Sequence, residues 1–189
     1  MKITGIILSG GKSIRMGQDK GLLEINGKPM IQHVIDHVKP ICNQILISAN
    51  TEDYKRFGYP VIPDVVKDIG PAGGLISCLP QSESRKNIII SCDLPFASTE
   101  FIVRLLELSG GYDITIPMTG RFLQSTCGIY DREIRDTLRS LIDEGHYSLR
   151  YLVRQFKLNI LESEHFSDID LSLMLRNINN REDIERYVQ

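Results

Sequence analysis

The sequence predicts a single-domain α/β fold: a mostly parallel sheet with helices on both faces, three layers in all. Three observations carry this. Short apolar runs of strand length alternate with stretches of helical period along most of the chain. A chain of 189 residues is long enough for one sizeable core, so positions 1–189 are read as one domain. Polar residues able to do chemistry follow directly on the apolar runs, at the edge where open α/β sheets take their ligands.

The elements follow in order. Ile3, Ile6, Ile7 and Leu8 make a first buried strand, which Ser9-Gly10-Gly11 breaks. Met30, Ile31, Val34, Ile35 and Val38 recur at helical spacing, and Pro40 closes that helix. A second strand spans 44–49, and a brief third one over 59–62 runs into Pro63-Asp64. Residues 72–80 read as a helix and 87–92 as a fourth strand. Ser98-Thr99-Glu100 opens a helix carrying Phe101, Ile102, Leu105, Leu106 and Leu108, ended by Gly110-Gly111. Strands at 112–117 and 126–130 and helices around 131–143 and 147–155 complete the alternation.

Composition narrows the function. The 22 Lys plus Arg nearly balance the 24 Asp plus Glu, so the chain has no footprint for nucleic acid or an acidic membrane. Cys42, Cys78, Cys92 and Cys127 lie far apart in or beside apolar segments, which predicts buried free thiols and neither zinc ligands nor disulfides. No signal peptide or long apolar span is found, and the expected location is the cytoplasm. His33 and His37 share a helix face at i, i+4 spacing but lack a third ligand, so a polar flank of an amphipathic helix is the better reading. No pattern of a Ser-His-Asp or Cys-His nucleophile is present.

The most informative stretch is the loop after the first strand. Gly10 and Gly11 let the backbone come close to a bound group, and Lys12, Arg15 and Lys20 add cations within one loop. Such a loop suits a polyphosphate. It is neither a P-loop, since Arg15 and Met16 stand where that motif needs its second glycine, nor a dinucleotide fingerprint, which fails at Lys12. A second signal is Ser91-Cys92-Asp93-Leu94-Pro95, a carboxylate directly after a buried strand. Taken alone, Asp93 reads as an ordinary turn residue; beside a phosphate loop it reads as a ligand for a divalent ion.

The string from Leu8 to Lys20 matches L-x-G-G-x-S-x-R-M-G-x-D-K, and in this it resembles the nucleotidyltransferases that join a nucleoside triphosphate to a phosphorylated acceptor. Within that superfamily it is most similar to the molybdenum cofactor guanylyltransferases. The resemblance implies a Rossmann-like nucleotidyltransferase fold and transfer of GMP from GTP to molybdopterin or the molybdenum cofactor, with Mg²⁺ as cofactor. It places Arg15, Lys20 and Asp93 in catalysis, with Asp93 as the metal ligand. It assigns nucleotide contacts to Leu8, Ser9, Gly10, Gly11, Lys20, Ser48, Asp64 and Asp93. Asp64 would bond either the guanine edge or the ribose. Gly70 and Gly74, in a segment similar to G-P-L-A-G, would let the acceptor approach, and Asn177 and Asn179 match a pair associated with the pterin.

The likeness covers nearly the whole chain and departs from the family pattern in places. Serine stands at Ser48 where the family has asparagine, Gln124-Ser125 replaces a His-Pro pair, and Tyr147 occupies the place of an arginine, with Arg150 and Arg121 as candidates to replace it. The second glycine of Gly10-Gly11 favours GTP over CTP, because related cytidylyltransferases tend to carry alanines there. Implied partners are GTP, the molybdopterin acceptor and the chaperones that deliver or receive the cofactor. Competing readings are a cytidylyl- or guanylyltransferase with another small phosphorylated acceptor, and a nucleotide-binding partner without turnover.

Overall fold

The computed structural model describes residues 1–9 and 19–187. In chain order the strands are β1 (Ile3–Leu8), β2 (Glu24–Ile25), β3 (Lys28–Pro29), β4 (Gln44–Ser48), β5 (Val61–Ile62), β6 (Lys86–Ser91), β7 (Ile114–Thr119), β8 (Phe122–Leu123), β9 (Cys127–Asp131) and β10 (Leu158–Leu161). The helices are α1 (Met30–Val38), α2 (Pro71–Cys78), α3 (Thr99–Glu107), α4 (Arg135–Asp143), α5 (Leu149–Leu152), α6 (Leu171–Met174) and α7 (Arg181–Tyr187). The main sheet runs β10-β7-β9-β6-β1-β4-β5, with β8 paired to β7.

Alternation along the central strands divides the core into two. Ile7, Ile45, Ile47, Ile88 and Ile90 face α1 and α3, packing on Ile31, Val34, Ile35, Phe101, Ile102 and Leu105. Their neighbours Ile6, Leu8, Leu46 and Ile89 face α2 and α4, packing on Leu75, Ile76, Leu138 and Ile142. A strand covered on both faces needs an unbroken β-branched or aliphatic run, which is why β1, β4 and β6 stand out in the sequence. Each such side chain contributes about 1.5–3 kcal/mol by leaving water. The edge that these strands define is therefore rigid.

Most of the sheet is parallel, as the alternation predicts, but β9 runs antiparallel to both β6 and β7. The stretch 120–126 that joins β7 to β9 is too short for the crossover a parallel pair needs, so the chain turns back on itself through β8. The third strand is shorter than the apolar run suggests, reduced to Val61–Ile62. Two further features lie outside that reading because their strands are so short. β10 adds a parallel edge strand beside β7. β2 and β3 form a hairpin whose turn residues, Asn26 (φ 52°) and Gly27 (φ 72°), both have positive φ, as a type I′ turn demands.

The cysteines are free thiols, as expected. Cys78, Cys92 and Cys127 are buried and Cys42 half-buried, and burial pushes each up to about 12. Among the described residues no helix is long and apolar enough to cross a membrane. His33 spends its ring nitrogen on the Ile25 carbonyl at 3.0 Å, and no cluster of three or more metal-ligating side chains occurs among the described residues.

One buried carboxylate, Asp131, caps the 3₁₀ turn Arg132–Ile134 between β9 and α4. Asp131 accepts hydrogen bonds from the Glu133 N–H (3.1 Å) and Arg85 Nε (2.9 Å), with Lys86 Nζ at 3.5 Å. Burial pushes the Asp131 carboxyl up, but these three partners outweigh it and hold the group below the usual carboxylate range. A depressed folded value means the stabilisation is complete above the unfolded pKa and lost as pH falls through the folded one. Asp131→Asn should therefore lower stability by about 1–3 kcal/mol at neutral pH. Urea unfolding at neutral and acid pH checks this; the gap between variant and wild type should close in acid.

Candidate active site

Parallel register brings distant parts of the chain to one edge. Leu8, the last residue of β1, pairs with Ser48 on one side and Ser91 on the other, and Ser48 pairs with Ile62 of β5. The ladder runs one step further: Ser9 N–H donates to Ser48 O (2.8 Å), Cys92 N–H to Leu8 O (3.0 Å) and Ala49 N–H to Ile62 O (3.2 Å). Ser9, Asn50, Asp64 and Asp93 thus all emerge at the same end of the sheet. This is the carboxyl end, where such folds bind ligands.

Lys20 reaches this edge from a 3₁₀ turn, Lys20–Leu22, that begins after the loop. Its Nζ lies 2.6 Å from Asp93 Oδ2 and 2.7 Å from Asn179 Oδ1. The pair is mostly shielded, with 16% and 18% of the two side chains exposed. Asn179 arrives from the far end of the chain. Its neighbour Ile178 is fully buried against Ile25 and Met30 and donates its N–H to Asp93 O at 3.0 Å. Asn180 caps α7 by accepting the Asp183 N–H (2.8 Å), while Asp183 accepts the Asn179 N–H (2.7 Å). The C-terminal segment is therefore anchored on both sides of the contact with Lys20.

Among the described residues Asp93 pairs through only one of its carboxylate oxygens. Oδ1 is buried and has no hydrogen-bond partner among the described residues. A buried carboxylate oxygen left unpaired is costly, and a cation removes that cost. Mg²⁺ binds through one or two carboxylates completed by phosphates and water, so a single well-placed Asp fits it without a dedicated cage.

On the β4 side, Asn50 and Asp64 clasp each other. Asn50 Oδ1 accepts the Asp64 N–H at 2.9 Å, and Asn50 Nδ2 donates to Asp64 Oδ2 at 2.9 Å. Ser48 Oγ lies 3.5 Å from Asp64 Oδ1. The carboxylate is fixed yet half-buried, with lone pairs left to accept from a ligand. Sequence reasoning names Ser48 and Asp64 but passes over Asn50; an amide two residues beyond a strand end, in a segment already singled out, is the signal for it.

The remaining candidates divide. Gly10, Gly11 and Arg15 lie outside the described residues. Gly70 sits exposed at the start of α2 with φ 66°, with open space where a Cβ would stand. Gly74 is buried, and what approaches it is protein: a Cβ there would overlap Ser48 Oγ and come within 3.1 Å of Leu8 Cδ2. Asn177 is exposed two residues before Asn179. Arg150 rests over the Phe122 ring, 5.8 Å from its centroid, beside the β7–β8 turn that carries Arg121.

A lysine–aspartate pair thus lies at the carboxyl edge of parallel strands, a second carboxylate is fixed nearby by Asn50, and one buried Asp93 oxygen has no partner among the described residues. Comparison with known proteins gives the class, a nucleotidyltransferase, and narrows it. The chain belongs to the MobA-like NTP transferase domain family, whose model matches residues 5–160. The "Probable molybdenum cofactor guanylyltransferase" of Flavobacterium johnsoniae is 35% identical, the match covering 96% of this chain and 94% of that protein. The molybdenum cofactor guanylyltransferase of Shewanella sediminis is 32% identical over 80% of each chain. Among solved structures, molybdopterin-guanine dinucleotide biosynthesis protein A from Archaeoglobus fulgidus superposes with a TM-score of 0.81 at 22% identity, covering 98% of this chain and 96% of its own. The 2-C-methyl-D-erythritol 4-phosphate cytidylyltransferase of Thermus thermophilus gives 0.72 at 12% identity, covering 96% and 95%. Those two likenesses concern the fold.

The Gly74 contact yields a test of how α2 is seated. Gly74→Ala should destabilise the protein by about 1–3 kcal/mol through overpacking against Ser48. Ser48→Ala in the same chain removes the overlapping oxygen and should recover part of the loss. Thermal unfolding of the two single variants and the double variant reads the coupling; strictly additive effects would contradict the contact.

Proposed function

We propose that this chain transfers GMP from GTP to molybdopterin or its molybdenum-loaded form, releasing pyrophosphate. The observation that carries the reading is the Lys20–Asp93 pair at the sheet edge, with Asp93 Oδ1 unpartnered among the described residues. The names of the 35%- and 32%-identical relatives support the choice of base and acceptor.

The chemistry asks little covalent work of the protein. An oxygen of the acceptor's terminal phosphate attacks the α-phosphorus of GTP in line; a new P–O bond forms as the bond to the bridging oxygen breaks, and pyrophosphate carries off the electron pair. Phosphate monoesters are largely ionised near neutral pH, so no strong general base is required. Catalysis rests on positioning and on neutralising charge. Lys20 supplies a compact point charge for the phosphates, and Arg15 of the loop adds a second. Asp93 would hold Mg²⁺ through Oδ1, and the ion would offset charge on the α-phosphate and the departing pyrophosphate. Asp64, held by Asn50, accepts from the guanine edge or the ribose, and Ser48, Leu8, Ser9, Gly10 and Gly11 line the nucleotide. Gly70, Asn177 and Asn179 face the acceptor, with Gly74 seating the helix behind them. The reading carries with it a cytoplasmic setting and hand-over to the chaperones of molybdoenzymes.

Pyrophosphate release measured with Mg²⁺ and each of GTP, CTP, ATP and UTP, with and without molybdopterin, tests this. Release requiring both GTP and molybdopterin is expected, and GTP binding with no release would remove the acceptor assignment. Asp93→Asn and Lys20→Ala should each cut turnover by about 10²-fold or more. Nucleotide binding that either substitution weakens, in a wild-type chain that releases no pyrophosphate, would point to a binding protein.

A further inference from the structure

We infer that Tyr54 is a positioning residue for Lys20, acting through Asp19. Tyr54 lies in the 3₁₀ segment Glu52–Phe57 that follows β4, far from the phosphate loop in sequence, and its side chain is completely buried. Its hydroxyl donates to Asp19 Oδ1 at 2.5 Å. That same oxygen accepts the Gly21 N–H at 3.2 Å, and Asp19 O accepts the Leu22 N–H at 3.0 Å. Asp19 is thus the N-cap of the turn on which Lys20 sits, and Tyr54 fixes the cap.

Packing at the next residue agrees. A Cβ on Gly21 would come 2.5 Å from the Tyr54 hydroxyl and 3.1 Å from Cys92 Sγ. The turn is pressed between the tyrosine and the residue that precedes Asp93. Glycine is needed there because the hydroxyl occupies the space. Burial pushes the Tyr54 hydroxyl far above the ordinary phenol value, so it remains protonated and a donor throughout the working pH range.

The consequence is geometric. Lys20 has a long, flexible stem, and its ammonium meets Asp93 and Asn179 only if the turn beneath it is held in place. The tyrosine comes from the same stretch as Asn50, which holds Asp64. One short segment therefore sets both the Asp64 side and the phosphate side of the edge. The inference deepens the guanylyl-transfer reading, since a fixed Lys20 matters to turnover only if Lys20 works on phosphates.

The test is Tyr54→Phe, which removes one oxygen and keeps the buried ring. Site-resolved acylation of the substrate-free protein with acetic anhydride, read by mass spectrometry, should show Lys20 reacting about threefold faster or more in the variant, as expected for one lost hydrogen bond to a charged group. Lys28 and the shielded Lys86 should keep their wild-type rates. An unchanged rate at Lys20, or a rise shared with Lys86, would overturn the inference. In pyrophosphate release, Tyr54→Phe should cost about tenfold in the wild-type background and less than about twofold beside Lys20→Ala. Equal losses in both backgrounds would overturn it as well. The labelling needs no nucleotide, so failure of GTP-dependent release would count against guanylyl transfer while the labelling result still decides the role of Tyr54.

Discussion

The contact between Lys20 and Asp93 is the constraint around which the rest of the molecule is arranged. A carboxylate shielded to 18% exposure is only partly solvated, so it needs a cation and hydrogen bonds from the protein or a ligand. The partners come from far along the chain: Lys20 stands 73 positions before Asp93 and 159 before Asn179. Only a fold that fixes strand ends, loop turn and C-terminal segment together can meet that demand. Each is fixed by its own local chemistry: the β1–β6 register, the Asp19 cap, and the burial of Ile178.

Stability and function meet at the same atoms without being the same requirement. The two apolar faces of β1, β4 and β6 keep the strands from shifting, and a rigid edge is what a site based on charge placement needs. The polar contacts at the edge then divide the labour. Asn50 orients Asp64, Asp19 holds the turn of Lys20, and one Asp93 oxygen has no partner among the described residues. Close packing behind the edge, as between Gly74 and Ser48, leaves no slack for the helix that begins at Gly70 and Pro71.

Much of this architecture could be read from the residues because the strong signals are local. Ile6-Ile7-Leu8 and Ile88-Ile89-Ile90 are β-branched or aliphatic runs that suit few structures other than a strand covered on both faces. The position of Asp93 just beyond such a run places it at the sheet edge before any coordinates are known. The antiparallel return of β9 was less legible, since direction depends on the length of the connection and not on the strand's own residues. Asn26-Gly27 is a strong hairpin signal, but its two-residue strands have no periodicity to flag them. The meeting of Asn179 with Lys20 has no local trace at all. Neither has the burial of Tyr54, which sits among charged residues in Glu52-Asp53-Tyr54-Lys55-Arg56 and looks exposed by its surroundings. At Gly74 the need for close approach is legible, and only the identity of the approaching group, Ser48, requires the structure.

The account turns on where a nucleotide sits relative to this edge. A crystal structure of the wild-type chain with GTP and Mg²⁺ measures that directly. The triphosphate should lie over the ends of β1 and β6, with the ion on Asp93 Oδ1, Lys20 Nζ on a phosphate oxygen and the guanosine beside Asp64. A nucleotide bound elsewhere, or one that leaves Asp93 Oδ1 without a cation, would contradict the assignment of this edge as the catalytic site.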